Sequence, residues 1–264
     1  MAEGHTVVRW ANRLRSLIGR PLEVVEMPSR WHDRAWLLVG QEITRIETHG
    51  KHLLIHLSDG QMIHCHALMF GSWQVGNPDM KLRKPSKHVR LRLRTSWREA
   101  VFFHGPVVEL LTEEERARHA KLKALGPDLL HDHFDRDEVW RRLQRDPARE
   151  IGDAILDQTI IAGIGNIYKS EGLFVAGIDP RRRVAEVERA DVERVWDVAI
   201  PMMWEGARTY GPITTLPADL QKGRTRNWVY RRNKKPCFQC GATIEMIRQG
   251  PMQRTTYFCP HCQL

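Results

Sequence analysis

Two Cys-x2-Cys knuckles carry the clearest chemistry in this chain, Cys237-Phe238-Gln239-Cys240 and Cys259-Pro260-His261-Cys262. Their separation is that of four thiolates converging on one tetrahedral zinc ion. A closed four-thiolate set leaves no open coordination position, so such a metal holds shape and does not catalyse. The competing reading is a pair of disulfides. Nothing at the N-terminus resembles a secretion signal, and an intracellular, reducing compartment fits the cysteine usage better. A fifth cysteine, Cys65, lies between His64 and His66. Side chains alternate faces along a strand, so that run cannot close on one ion, and Cys65 reads as structural. A second stretch, Gly163-Ile164-Gly165-Asn166, has the form of a phosphate site. Its glycines let the backbone approach a partner, and the helix it opens, with Asn166 as cap, offers free amides. Turns of this kind are common between helices, so spacing alone does not make it a site.

These residues need elements to hold them. The zinc ribbon is expected to be two short strands turning at Gly250-Pro251, led in by Arg231, Arg232, Lys234 and Lys235. Near the start, Val7, Ala11, Leu14 and Ile18 share one face of a helix expected over residues 5–18. Ala2 and Glu3 then sit just before a helix N-terminus. A β-rich region follows. Strands are expected at 22–27, 41–48, 52–57, 61–66, 88–95, 100–104 and 107–111, with hairpin turns at Gly50-Lys51 and Asp59-Gly60. That many strands at this spacing predicts a sandwich. In residues 88–95 one face is apolar and the other carries Arg90, Arg92 and Arg94, which a solvated face would also do.

Thr112 to Glu115 forms a capping box, and Leu125-Gly126-Pro127-Asp128 breaks the chain, so a domain boundary is placed there. Beyond it the pattern is helical. Helices are expected at 137–144, 150–162, 166–176 and about 186–209. The fold class is α+β and multidomain. A β-sandwich with flanking helices spans 1–125, a helical domain 126–227 and a zinc ribbon 228–264.

The chain has 264 residues, more than one compact core usually covers. Lys plus Arg number 41 against 32 for Asp plus Glu, a formal charge of +9, which favours a polyanionic partner such as nucleic acid. No apolar run approaches the roughly 20 residues of a membrane span, so no membrane partner is expected.

The stretch from Leu156 to Tyr168, with Ser170 and Glu171, resembles the helix–two-turn–helix signature of the formamidopyrimidine-DNA glycosylase and endonuclease VIII family. The run from Arg254 to Gln263 resembles that family's zinc finger. Ala2-Glu3-Gly4 resembles its Pro-Glu-Gly start, and Gly50-Lys51 its lysine-bearing turn. The four parts occur in the family's order over nearly the whole chain. The Glu-Gly-His opening and the stretch from Leu125 to Leu129 are similar to the endonuclease VIII branch.

The resemblance implies a base-excision-repair glycosylase with lyase activity, acting on damaged double-stranded or single-stranded DNA as a cytoplasmic, nucleoid-associated monomer, with structural zinc. The α-amine of Ala2, after loss of Met1, would attack the sugar C1′ to form a Schiff base. Glu3 would act as general acid/base and Lys51 would reach the scissile phosphate. Asn166 and Arg254 would clamp phosphates. Leu68, Met69 and Phe70 match the residues the family wedges into the duplex; a buried strand end is the competing reading. Two positions depart from the family. Residue 2 is Ala where Pro is usual, and residue 6 is Thr where a second Glu is frequent. Two alternatives therefore stand beside the enzyme: a damage-binding protein on the same scaffold, and a zinc-ribbon transcription factor.

Overall fold

The computed structural model describes residues 2–209, 214–221 and 225–264, and it divides into two compact units, Met1–Ala124 and Leu125–Leu264. In the first unit α1 (Gly4–Leu14) buries Val7, Ala11 and Leu14. The helix ends four residues sooner than the periodicity predicts and continues as a 3-10 turn over Arg15–Leu17. Three residues per turn put Leu17 on the face of Leu14, so Leu17 is buried and Ile18 is left exposed.

The sequence continues through β1 (Val24–Glu26), α2 (His32–Ala35), β2 (Ile43–His49), β3 (His52–Leu57), β4 (Met62–His66), β5 (Ser72–Gly76), β6 (Val89–Arg94), β7 (Glu99–Phe103) and β8 (Val107–Leu111). They form two antiparallel four-stranded sheets, ordered β1-β6-β7-β5 and β2-β3-β4-β8. One core joins the inner faces, with Trp73, Leu91, Leu93 and Phe102 from the first sheet and Leu53, Ile55, Ile63, Cys65 and Val108 from the second. Strand β5 and the helical stretch from Ser29 to Leu38 escape the sequence reading. Of the three arginines on β6, two are engaged and Arg90 is exposed. Arg92 pairs with Glu26 and Glu99, and Arg94 with Asp79.

After β8, Thr112 accepts from the Glu115 amide and opens α3 (Glu113–Arg118), which is followed by α4 (Ala120–Ala124). Leu122 of α4 packs on Leu54, Met62 and Leu111, which covers part of the outer face of the second sheet.

The second unit contains α5 (Arg136–Leu143), α6 (Ile151–Ala154), α7 (Asn166–Ala176), α8 (Arg189–Arg208), β9 (Glu245–Gln249) and β10 (Arg254–Phe258). The helix expected over 150–162 is cut to Ile151–Ala154. Asp157 accepts from the Thr159 amide in an Asx turn, and Gln158 bonds the Leu156 and Ile164 carbonyls and the Gly163 amide. Side chains thus supply the partners that a helix ladder would otherwise supply. Gly163 turns at φ +106, and Gly177, at φ +75, ends α7 in the left-handed conformation. Among the described residues no helix is long and apolar enough to cross a membrane.

Candidate metal centre and nucleic-acid interface

The four cysteines of the ribbon come together. Sγ of Cys237 lies 3.9 Å from Sγ of Cys262, and Sγ of Cys240 lies 3.5 Å from Sγ of Cys259. All four sulfurs fall within 4.8 Å of one another. Four thiolates at about 2.3 Å from one tetrahedral ion would sit about 3.8 Å apart. The donor set therefore fits zinc, and the spacing is far beyond a disulfide bond. Backbone geometry prepares the knuckles. The Gln239 amide points at Cys237 Sγ, and Gly241, at φ +77, returns its amide to the Cys237 carbonyl. Gln263 receives the Cys259 amide and donates to Ile178, which fastens the second knuckle to the end of α7. The ribbon shares its small core with the end of α7. Phe174 and Val229 complete the cluster around Cys237, Ile244 and Cys259.

Strands β9 and β10 pair as the hairpin that the sequence predicts, with Arg254 directly opposite Gln249. Arg254 is half-buried at the start of β10. The N-terminus of α7 packs against this strand. Asn166 is the first helical residue there, and the cap is Gly165. This corrects the expected capping role: with Gly165 extended at φ −125, the Asn166 side chain is turned to Thr255 Oγ1, 3.5 Å away. Its Oδ1 is buried without a hydrogen-bond partner among the described residues. Asn166 and Arg254 thus share one corner of the second unit.

Glu171, one turn further along α7, is fully buried. Its carboxylate accepts from the amides of Trp228, Val229 and Tyr230 at 2.7–2.9 Å and from the Thr215 hydroxyl. Burial pushes its pKa up against these four donors. The sequence motif contains Glu171, but only the fold shows that it holds the approach to the ribbon.

In the first unit Glu3 is fully buried and stands as N-cap of α1, its carbonyl accepting from the Thr6 and Val7 amides. Ala2 packs partly against the core beside it. Met1 lies outside the described residues. Helix α1 packs on β2, β3 and β5, and Lys51 lies in the turn between β2 and β3, where Gly50 takes φ +57. Leu68, Met69 and Phe70 are exposed, Phe70 to 77%, so they are not a buried strand end. They form a tight turn beyond β4, closed by the Gly71 amide on the Ala67 carbonyl.

A histidine network on the outer face of the second sheet escapes the sequence reading. His52 faces His66 across β3 and β4, and His64 faces Glu109 across β4 and β8. Cys65 points the other way, into the core, as strand alternation requires. His52 Nδ1 lies 2.8 Å from His64 Nε2, and His64 Nδ1 lies 2.9 Å from Glu109 Oε2. His119, between α3 and α4, reaches the same carboxylate oxygen at 3.1 Å. The only signal in the sequence is the His-x-His spacing of 64 and 66. Burial is the main cause that lowers the pKa of His52 to about 2 and of His66 to about 4, helped by neighbouring histidines and, at His66, by Lys51. Burial also lowers His64, against the Glu109 hydrogen bond. Burial would raise Glu109, but the bonds from His64 and His119 outweigh it and hold the carboxyl below its usual range.

These shifts make the first unit acid-sensitive. His52 and His66, and His5 at about 3, have folded pKa values below the ordinary 6.5, so the unfolded chain binds more protons in acid. Their contribution is complete above pH 6.5 and is lost as pH falls from there, down to about 4 for His66, about 3 for His5 and about 2 for His52, by about 1.4 kcal/mol per pH unit for each neutral group. The Tm of the first unit's transition is expected to drop steeply between pH 7 and pH 5 in calorimetry. A flat Tm over that range would contradict the buried neutral state.

Three family descriptions match the chain: the formamidopyrimidine-DNA glycosylase N-terminal domain over residues 1–106, its H2TH domain over 125–217, and the zinc finger found in FPG and IleRS over 234–264. A probable endonuclease 8 2 of Streptomyces coelicolor is 35% identical over all of this chain and 94% of its own length. The endonuclease 8 1 of Mycobacterium tuberculosis is 32% identical, with both chains fully covered. Among solved structures, Lactococcus lactis Fpg in complex with an abasic site containing DNA superposes with a TM-score of 0.82 over the whole of both chains. At 23% identity that is a likeness of fold.

Proposed function

Since the chain belongs to the formamidopyrimidine-DNA glycosylase and endonuclease VIII family, we propose that it is a base-excision-repair DNA glycosylase with lyase activity at the resulting abasic site. The observation that carries this reading is the coincidence, in one chain, of a fully buried Glu3 at the start of α1 with a four-thiolate ribbon packed beside Asn166.

The α-amine of Ala2 attacks C1′ of the damaged nucleotide. The C1′–base bond breaks, and the base leaves with the bonding pair and takes up a proton. The amine loses a proton and the C1′–O4′ bond breaks to leave the Schiff base, and Glu3, a carboxyl screened from water, gives O4′ the proton it takes up. The Schiff base then withdraws electrons from the sugar, a proton is lost from C2′, and the 3′ phosphate departs. Lys51 meets that phosphate from its turn. Residues 1–125 hold this chemistry. Residues 126–227 and 228–264 hold the phosphates through Asn166 and Arg254. If the Asn166 amide is rotated, its Oδ1 takes the Thr255 hydroxyl and its Nδ2 replaces the orphaned, buried Oδ1 as a donor. Leu68, Met69 and Phe70 fill the space of the everted base, a role that their exposure supports. The preferred bases are oxidised pyrimidines, in duplex or single-stranded DNA. The working form is a monomer in a bacterial cytoplasm, at the nucleoid.

Borohydride trapping on a duplex with an abasic site tests the amine chemistry. A covalent adduct, mapped by mass spectrometry to residue 2, is expected. A protein that binds this duplex without forming any adduct would be a damage-binding protein, and the enzyme reading would be lost.

A further inference from the structure

The Leu68–Phe70 turn has a second hold besides the Ala67–Gly71 bond. The Leu68 amide donates to His66 Nδ1 at 3.1 Å. Leu68 stands at φ +44, a left-handed conformation that is strained for a residue with a side chain. An acceptor at the Leu68 amide offsets that strain, and it requires Nδ1 of His66 to be bare.

The network described above fixes the His52 ring against which His66 packs. Glu109 can only accept, so His64 carries its proton on Nδ1 and leaves Nε2 bare. His52 must then donate from Nδ1. The His52 and His66 rings touch, with centroids 4.4 Å apart. His119 donates to Glu109 from Nε2 and accepts the Leu122 amide on Nδ1. Every imidazole with two contacts has one donor and one acceptor. The grouping of His64, Glu109 and His119 also has the spacing of a metal site. Its bonds are already satisfied by this pattern, and the Arg30 guanidinium stands 3.8 Å from Glu109 Oε1, which disfavours a cation.

We propose that His66 is a positioning residue for the wedge: its Nδ1 accepts the Leu68 amide, and its ring packs against His52, which the chain His119–Glu109–His64 holds in place, so that Leu68, Met69 and Phe70 are presented in one preformed turn. This rests on reading those three residues as the wedge.

The test uses the full-length protein and a duplex carrying a tetrahydrofuran abasic analogue opposite 2-aminopurine, whose fluorescence rises when it is unstacked. The native protein is expected to raise it. His66→Asn keeps an acceptor at the position of Nδ1 and is expected to keep the rise. His66→Phe removes the acceptor and is expected to slow the rise about tenfold, the loss of one hydrogen bond, with affinity for undamaged duplex unchanged. Glu109→Gln, which leaves His66 itself intact, is expected to slow it less, and it serves if His66→Phe does not fold. The triple change of Leu68, Met69 and Phe70 to Ala reports on the wedge reading separately. If the triple variant keeps the rise, the wedge reading fails. If it loses the rise while neither His66→Phe nor Glu109→Gln slows it, the positioning role fails and the wedge stands. Two zincs per native chain, falling to one in His119→Ala, would make the cluster a metal site and overturn the hydrogen-bonded chain.

Discussion

Chelating the zinc is expected to abolish binding to an abasic-site duplex while the first unit keeps its fold. All four thiolates lie between Cys237 and Cys262, and Met1–Ala124 contains none of them. Structural zinc supplies roughly 10–16 kcal/mol to a ribbon of this size, more than its own apolar contacts can replace. The damage should extend beyond the ribbon. Phe174 loses the cluster around Cys237 and Cys259, and Asn166 loses the strand that carries Thr255. The end of α7 should therefore loosen together with β9 and β10. Calorimetry with and without chelator would show the first unit's transition unmoved and the second unit's weakened. Affinity for the duplex should fall at least about a hundredfold, which is the consequence of unfolding a segment worth that much. Unchanged affinity after confirmed zinc loss would remove the ribbon from the binding surface.

Ala2→Pro is expected to speed strand cleavage and flatten its pH dependence. A proline amine is secondary, so its Schiff base is an iminium that keeps its positive charge at any pH, and that charge draws the electrons of the elimination. The imine from Ala2 can lose a proton, and its charged fraction falls roughly tenfold for each pH unit above its pKa. The natural protein should thus trap on abasic DNA yet cleave slowly at alkaline pH. The comparison requires Met1 absent from both proteins, as intact mass would show. With Met1 retained, the nitrogen of Ala2 is an amide and cannot attack, so activity should vanish in both. Equal rates and equal pH profiles in the two processed proteins would mean that imine protonation does not limit the elimination.

The sequence by itself determined whatever depends on neighbours along the chain. Two cysteine knuckles and a Gly-Pro turn suffice to specify a metal ribbon, because four ligands within a short span have few ways to meet one ion. The alternation of β3, β4 and β8 placed Cys65 in the core and His64 on the other face. The Thr112 capping box and the Gly177 stop are equally local. Tertiary structure decided the partners of polar groups. Residues 151–162 read as one helix until Asp157 and Gln158 capture the backbone in turns. Asn166 reads as a cap until Gly165 takes that place and its amide finds Thr255. Glu171 has the pattern of any helix carboxylate, and its role depends on three amides more than fifty positions away. Residues 52, 64, 66, 109 and 119 become one network only through strand register and the return of α3 and α4 over the sheet. Hydrogen bonds act over about 3 Å of space whatever the separation in sequence, so which polar groups meet is settled by packing, whereas which residues can form a strand, a helix end or a metal knuckle is settled by their immediate neighbours.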